Sequence, residues 1–246
     1  MEWFERLYFG TWQLGGGQFR ALSEYQKERL LSAAIIAGIC RFDTAAVYGG
    51  GAVEELLGRH LQQQAVIVTK IPAIRKPNPE KQEPINEFYP TDHMRRCVMN
   101  SLDRLRRAQV DTILLHNWSP SWAVGAQDVL DCLNSMKQEG LTRRIGISLP
   151  NDFGFQSGAR LFPWMDVVEM PYNPEQAWAR KLLPAMQGCG VEVLLRSLFG
   201  QGRFLTTDTA ESLIANAGEL GTSVVIGMTT EEQIKRNINC LKRGAQ

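Results

Sequence analysis

The 246-residue sequence carries no excess of either charge. Its 27 Lys and Arg residues balance 26 Asp and Glu residues, which leaves a formal net charge of +1 at pH 7. Proteins that bind nucleic acid or a membrane surface usually present a basic field, so neither partner is indicated. No run of residues approaches the roughly 20 apolar positions of a membrane span. We therefore expect a small-molecule partner, with no nucleic acid and no membrane.

Metal-binding and disulfide patterns are also missing. The five cysteines are scattered without CxxC spacing, and their odd number does not indicate a complete disulfide framework. The three histidines show no metal-ligand spacing, so we expect no metal. The amino terminus lacks the basic start and apolar stretch of a signal peptide, which predicts a cytoplasmic protein. Nothing in the sequence indicates an oligomeric state.

Short apolar runs alternate with longer segments of helical periodicity, which is typical of βα units around a parallel sheet. The predicted strands are Leu7–Leu14, Arg41–Thr44, Val66–Lys70, Thr112–His116, Arg144–Ser148, Asp166–Met170, Val191–Ser197 and Ser223–Ile226. The predicted helices are Ser23–Ala37, Ala52–Gln63, Thr91–Ala108, Ala126–Glu139, a short one near Phe155–Arg160, Gln176–Gln187, Ala210–Glu219 and Thr230–Leu241. This alternation predicts the α/β class and a closed (β/α)₈ TIM barrel. No linker divides the chain, so residues 1–246 are expected to form a single domain.

Four polar residues stand at or just after the ends of three predicted strands. Asp43 and Tyr48 follow the second strand, Lys70 ends the third and His116 ends the fourth. Catalytic groups of such barrels lie at the carboxyl ends of the strands, so the four are expected to meet at one mouth. A lysine ammonium lowers the pKa of a nearby phenol, and a phenol tuned in this way can protonate a carbonyl oxygen. None of these side chains carries hydride, so a cofactor must supply it.

Each of the four residues alone has an ordinary structural explanation. An aspartate at a strand end commonly caps or pairs, a lysine there commonly extends to solvent, and a histidine after apolar residues is commonly structural. Together the four residues are far more specific evidence for an active site, because all four are predicted to lie at the same end of one barrel. A metal- or phosphate-dependent lyase or hydrolase is disfavoured, since the strand ends carry no acidic or histidine ligand clusters.

Several segments together resemble the aldo-keto reductase family, in the family's order and over nearly the whole chain. They are Gly10–Trp12, Phe42–Gly49 followed by Glu54–Gly58, Val68–Lys70, Leu114–His116, Gly140–Ser148 and Ile226–Gln233. The resemblance implies a (β/α)₈ barrel that reduces aldehydes and ketones with NADPH, or oxidises alcohols in reverse. It also implies that Tyr48 is the general acid, that Lys70 and Asp43 tune it, and that His116 orients the substrate.

The resemblance implies an extended dinucleotide lying across the strand ends without a GxGxxG loop. The implied cofactor-binding residues are Thr11, Trp12, Asp43, Ser148, Glu169, Arg196, Ser197, Leu198, Gly200, Gln201, Gly202, Gly227, Met228, Thr229, Gln233 and Asn237. The implied substrate-binding residues are Trp12, Tyr48, His116 and Trp118. For residues 196–202 a simple turn after the seventh strand is the alternative to a pyrophosphate-binding loop.

Three cofactor positions depart from the family pattern. Leu149 stands where asparagine is usual, and Glu169 stands where glutamine is common. A glutamate can accept a hydrogen bond from the carboxamide nitrogen of nicotinamide but cannot donate one to its oxygen. Thr229 replaces an arginine that often holds the 2′-phosphate, and Glu231 and Glu232 follow it. We therefore expect NADP(H), with weakened discrimination against NAD(H).

The sequence ends at Gln246, shortly after the last predicted helix, whereas family members commonly continue. We therefore expect a short, tail-less member with an open active site that suits a bulky or sugar-like carbonyl substrate. The proline-rich segment 72–90 either roofs this site as a lid or is a surface loop. The aromatic residues that either line the site or pack beneath loops are Trp12, Phe88, Tyr89, Trp118 and Trp122. The alternative function is a non-catalytic NADP(H)-binding accessory or sensor subunit, against which the intact set of four residues argues.

Overall fold

A computed structural model describes residues 2–17, 21–78, 81, 83–119, 122, 125–151, 164–176, 178–204, 207–220 and 222–243. Eight parallel strands pair in chain order and close into a barrel, so the predicted fold class is confirmed. The strands are β1 Leu7–Gly10, β2 Arg41–Asp43, β3 Val66–Ile71, β4 Val110–His116, β5 Thr142–Ser148, β6 Val167–Pro171, β7 Glu192–Arg196 and β8 Ser223–Gly227. Closure is made by β1, where Gly10 lies opposite both Asp43 of β2 and Gly227 of β8.

Helices surround the barrel. They are α1 Trp3–Arg6, α2 Glu24–Ile36, α3 Ala52–His60, α4 Thr91–Leu105, α5 Gln127–Gln138, α6 Ala179–Gly188, α7 Thr207–Glu219 and α8 Glu231–Arg243. The first is a single turn before β1, and each of the others follows a strand. The short helix predicted near Phe155–Arg160 lies outside the described residues. Among the helices described, none has the length and apolar character needed to cross a membrane.

The hydrophobic core has two parts. The larger part lies between the barrel and the helices and joins the outer faces of the strands to the apolar helix faces. The smaller part fills the barrel interior with residues from six strands, namely Tyr8, Val68, Leu114, Val167, Leu194 and Val225. Because side chains fill the interior, the barrel is a packed scaffold, and ligands must bind at its ends rather than within it.

Some predicted boundaries are wrong. The first strand ends at Gly10 rather than Leu14, and Trp12–Gly15 forms a 3₁₀ turn instead. The side-chain amide of Gln13 donates to the carbonyl oxygens of Gly10 and Met228 at 2.7 and 3.0 Å, which holds this turn against the end of β8. The sixth helix begins at Ala179 rather than Gln176, because residues 174–176 form a separate 3₁₀ turn.

Candidate active site

The four predicted catalytic residues meet at the carboxyl ends of β2, β3 and β4. Lys70 Nζ lies 2.6 Å from Asp43 Oδ2 and also donates to the Thr44 carbonyl oxygen at 3.0 Å. The same nitrogen lies 5.5 Å from the centre of the Tyr48 ring. The His116 ring meets the Tyr48 ring edge-on, with 6.4 Å between their centres. The strand ends thus bring a phenol, an ammonium, a carboxylate and an imidazole together.

A second carboxylate, Glu169 of β6, joins this group. Its Oε2 lies 3.2 Å from Lys70 Nζ, and its Oε1 lies 3.2 Å from Arg196 Nε. Ser148 Oγ donates to the same Oε1 at 2.8 Å. The Glu169 side chain is only 1% exposed. The sequence indicated a cofactor contact for Glu169, and its ion pair with Lys70 was not foreseen because it depends on the closure of the barrel.

The pKa of Tyr48 is raised to about 12. Burial of the phenol is the main cause, since it disfavours the charged phenolate. Lys70 acts in the opposite direction, while Asp43 and Glu169 raise the pKa further. The expectation of a net lowering is therefore wrong. Lys70 does lower the pKa of Tyr48, as expected, but burial and the charges of Asp43 and Glu169 together raise it by more.

The neighbours of Tyr48 are also strongly perturbed. Burial lowers the pKa of Lys70, but Asp43 and Glu169 outweigh burial and keep the ammonium charged. Burial and then Lys70 lower the pKa of His116 to about 3, so its imidazole is neutral at neutral pH. Burial and the charge of Glu169 raise the pKa of Asp43 well above its usual value. The neutral His116 ring can therefore donate or accept a hydrogen bond, but it does not carry the second proton of an imidazolium that it could pass to Tyr48.

An open cavity of about 760 Å³ lies over these residues. The predicted site residues that line it are Thr11, Trp12, Asp43, Tyr48, His116, Glu169, Arg196, Ser197, Leu198, Gln201, Gly202, Gly227, Thr229 and Gln233. The predicted site residues that do not line it are Lys70, Ser148, Gly200, Met228, Asn237 and Trp118. Lys70 and Ser148 nevertheless hold lining residues in place, through Asp43 and Glu169 respectively.

Trp118 does not reach the cavity. It is fully buried and packs against Trp122 and Trp164, with ring centres 5.8 Å away in both cases. Phe88, Tyr89 and Trp122 are buried in the same way, so these aromatic residues pack beneath loops. Of the five aromatic residues considered from the sequence, Trp12 lines the cavity, and it stacks on Tyr48 with 6.5 Å between ring centres. The position of Trp118 does not support its predicted contact with substrate.

The segment 72–90, which we call the β3 loop, is held together by charge and stacking within its described residues. Arg75 pairs with Glu83 and Glu87 at 2.8 Å each, and its guanidinium lies 4.0 Å from the Phe88 ring centre. Trp122 Nε1 donates to the Glu83 carbonyl oxygen at 2.9 Å, which joins the loop to the segment after β4. Lys76, next to Arg75 in sequence, lines the cavity. The sequence left a lid and a surface loop as alternatives and did not single out Lys76, because its exposed, flexible side chain fits no motif.

The β7 loop, residues 197–202, has the backbone of an anion-binding turn. Ser197 and Gln201 adopt left-handed conformations, with φ of 58° and 61°, and Gly200 and Gly202 also have positive φ. Such backbone turns N–H groups toward one side, where they can hold a phosphate. The Nδ2 atom of Asn237 is buried and has no hydrogen-bond partner among the described residues. The N–H groups of Gly200 and Gly202 already donate to carbonyl oxygens within the turn at 2.9 Å, and Asn237 lies outside the cavity lining. The lining nevertheless runs from Arg196 and the β7 loop to Thr229 and Gln233, which fits an extended ligand.

Arg196 is held by four neighbours. Besides Glu169, it donates to the Leu149 carbonyl oxygen at 2.6 Å and to Asn151 Oδ1 and Ser197 Oγ at 2.9 Å. The guanidinium thus joins the ends of β5, β6 and β7. Asn151 lines the cavity but was missed in the sequence, since a single asparagine in a loop carries no pattern.

At the start of α8, the polar groups already form hydrogen bonds with one another. Thr230 Oγ1 accepts from the Gln233 backbone N–H at 3.2 Å, and Gln233 Oε1 accepts from the Thr229 N–H at 2.7 Å. Arg29 of α2 pairs with Glu231 at 2.7 Å. This cation, contributed from a distant part of the sequence, offsets one of the two acids expected to repel a 2′-phosphate.

The family of the chain follows from its similarity to known proteins. The model of the aldo/keto reductase family matches residues 6–219. The chain belongs to the aldo/keto reductase family. Two relatives are similar in sequence, and a solved structure shows the same fold.

D-threo-aldose 1-dehydrogenase of a Pseudomonas species is 29% identical over 209 residues, which cover 76% of this chain and 64% of that protein. L-galactose dehydrogenase of Arabidopsis thaliana is 29% identical over 199 residues, which cover 79% of this chain and 61% of that protein. The chain thus spans less than two thirds of either relative. An aldo/keto reductase from Klebsiella pneumoniae, solved with NADP and acetate, superposes with a TM-score of 0.74 at 23% identity, covering 96% of this chain and 85% of that one.

Proposed function

We propose that this aldo/keto reductase transfers hydride between NAD(P)H and an aldehyde or ketone, with Tyr48 as the proton donor, or runs the reverse oxidation. The observation that carries the proposal is the position of Lys70. Its buried ammonium lies 2.6 Å from Asp43 and 5.5 Å from the ring of Tyr48, a phenol that lines the cavity. A lysine buried beside a tyrosine at a barrel mouth is suited to stabilise a phenolate that has just lost its proton.

The four residues divide the proton chemistry among them. Tyr48, whose pKa is about 12, holds its proton at neutral pH until a carbonyl oxygen develops negative charge. Lys70 stabilises the phenolate that remains, and Asp43 keeps the lysine in position. Neutral His116 directs the carbonyl oxygen by a hydrogen bond. A nicotinamide cofactor, when bound, supplies the hydride.

The β7 loop, Gly227, Thr229 and Gln233 would hold the dinucleotide. A side chain at Gly227 would collide with Gln13, because its Cβ would lie 2.8 Å from Gln13 Oε1. NADP(H) is proposed because a solved member of the family contains NADP. NAD(H) is proposed as the alternative cofactor with comparable affinity, because Thr229 brings no positive charge that would favour the 2′-phosphate of NADP(H).

A sugar-like carbonyl compound is the proposed substrate, processed by a single barrel domain in the cytoplasm. Two relatives named for the dehydrogenation of an aldose and of galactose support this substrate class. The open cavity of about 760 Å³ and the polar side chains of Asn117 and Asn151 in its lining are consistent with a polyhydroxylated molecule. The alternative is a non-catalytic NADP(H)-binding subunit, which has no need of the buried Lys70–Asp43 pair.

Fluorescence titration with NADPH and NADH, followed by turnover on a panel of aldoses and simple aldehydes, tests the proposal. We expect binding of both cofactors with comparable dissociation constants and best turnover on sugars. Tyr48→Phe should lower turnover at least about 100-fold with unchanged cofactor affinity, whereas Tyr25→Phe, at a 68% exposed position, should change neither. Cofactor binding without any turnover would favour the accessory subunit. Full activity of Tyr48→Phe would exclude Tyr48 as the acid.

A further inference from the structure

Glu169 is the buried acid to which the proposed chemistry assigns no task. It has two cationic neighbours, Lys70 and Arg196, each 3.2 Å away, and a hydroxyl donor in Ser148 at 2.8 Å. An exposure of 1% means that water does not screen its charge. These contacts leave its carboxylate fixed beside the ammonium that serves Tyr48.

We infer that Glu169 is a positioning residue. Together with Asp43 it pairs with Lys70, and its negative charge offsets part of the effect by which the ammonium promotes loss of the Tyr48 proton. This inference rests on the proposed role of Tyr48 as acid. It differs from a contact with nicotinamide, because it concerns charge balance among side chains that are present without any ligand. Its consequence is a phenol that loses its proton only at higher pH than it would beside Lys70 alone.

The charged groups around Tyr48 come from several strands. The titratable groups that face it are Asp43 from β2, Lys70 from β3, neutral His116 from β4, Glu169 from β6 and Arg196 from β7. Besides burial, the charge of Glu169 raises the pKa of Asp43, so Glu169 is the acid of this pair that keeps its charge. An uncharged residue in place of Glu169 would remove that negative charge. Lys70 and Arg196 would then stabilise phenolate more strongly, and the Tyr48 proton would be released at lower pH.

The two ion-pair partners of Glu169 do not compete for the same oxygen. Lys70 lies against Oε2, while Arg196 and Ser148 lie against Oε1. Arg196 is itself fixed by the Leu149 carbonyl oxygen and by Asn151. Oε1 is therefore held by hydrogen bond and ion pair, while Oε2 faces the Lys70 ammonium at 3.2 Å without a hydrogen bond among the described residues.

The deciding variant is Glu169→Gln, which has nearly the same shape but no charge. Tyrosine labelled with carbon-13 at Cζ reports each phenol by nuclear magnetic resonance in the ligand-free protein, and the Tyr48 signal is assigned by its loss in Tyr48→Phe. We expect the Tyr48 titration midpoint in Glu169→Gln to fall by about one pH unit or more. The pH at which the rate of reduction declines should fall by the same amount.

Two controls separate charge from structure. Glu169→Asp keeps the charge and should titrate near the wild-type midpoint. Glu175→Gln removes an equivalent carboxylate from an exposed pair with Arg203 at 2.8 Å, and should leave the Tyr48 midpoint unchanged.

An unchanged Tyr48 midpoint in folded Glu169→Gln would overturn the inference, whatever its activity. A lowered midpoint without turnover in any variant would uphold the charge balance and reject the proposed reductase function. If Glu169→Gln does not fold, the side-chain carboxyl of Glu169, labelled with carbon-13 in the wild-type protein, decides. An ionised carboxylate at neutral pH supports the inference, and a protonated one overturns it.

Discussion

Lys70 and Asp43 form an ion pair that is almost completely removed from water. Their charged atoms are 2.6 Å apart, and the side chains are 1% and 5% exposed. In such a setting the loss of hydration largely offsets the attraction between the charges, so the intact pair adds little net stability. Each partner nonetheless depends on the other, because an unpaired buried charge is strongly unfavourable. The Lys70–Asp43 pair is therefore better explained by its place beside Tyr48 in the candidate active site than by a contribution to the stability of the fold.

Lys70→Met should destabilise the protein by about 3–5 kcal/mol at neutral pH, because two buried carboxylates lose their shared cation. The loss relative to wild type should shrink as the pH falls, since protonation removes the charges of Asp43 and Glu169. Urea denaturation at several pH values measures this. The control is Lys27→Met, which breaks a surface pair with Glu24 and should change stability by less than about 1 kcal/mol. Equal losses in both variants would contradict the prediction.

The stability contribution of His116 should depend on pH below neutrality. Its pKa is about 3 in the folded protein against an ordinary value of 6.5, so the unfolded chain binds a proton in this window and the folded protein does not. Stability should therefore fall as the pH is lowered from 6.5 toward 3, by at most about 1.4 kcal/mol per pH unit from this group. Comparing the pH dependence of wild type with that of His116→Asn isolates the effect. Identical slopes of stability against pH would count against a buried neutral imidazole.

Trp12 and Trp118 should behave oppositely when replaced by leucine. Trp12 lines the cavity, so Trp12→Leu should raise the KM for the carbonyl substrate about tenfold and affect stability little. Trp118 is fully buried, so Trp118→Leu should lower the free energy of unfolding by about 2–4 kcal/mol and leave KM nearly unchanged. Steady-state kinetics and denaturation of both variants test the pair. A large KM effect in a stable Trp118→Leu protein would restore its predicted role at the substrate.

Glu54 should prove structural. It is fully buried between Thr69 Oγ1 at 2.6 Å and Arg104 at 2.7 Å, and so links α3 to β3 and α4. Arg104→Met should cost about 3–5 kcal/mol of stability, and adding Glu54→Gln should recover part of it, because the stranded charge is removed. The control is Arg95→Met, which breaks an exposed pair with Glu139. Destabilisation that is simply additive in the double variant would argue against direct coupling.

Residues that end predicted strands were the ones the sequence placed well. Asp43 and His116 end β2 and β4 in the structure, and Lys70 is the penultimate residue of β3. Their placement at strand ends follows from the local pattern of the chain, and their meeting at one mouth follows from the parallel order of the strands that the βα alternation predicts. Trp118 was harder, because a loop aromatic can turn either toward the cavity or toward the core. Only the packing of Trp122 and Trp164 against it decides between the two.

The sequence by itself determined the alternation of strands and helices, the polar residues at the strand ends and hence the family. These are read from periodicity and spacing, which neighbours along the chain control. Tertiary structure decided the electrostatics. Closure of the barrel brings Glu169 of β6 against Lys70 of β3, and burial raises the Tyr48 pKa that the lysine alone would lower. Charge and desolvation act through space, so their sum at Tyr48 exists only once the eight strands have closed.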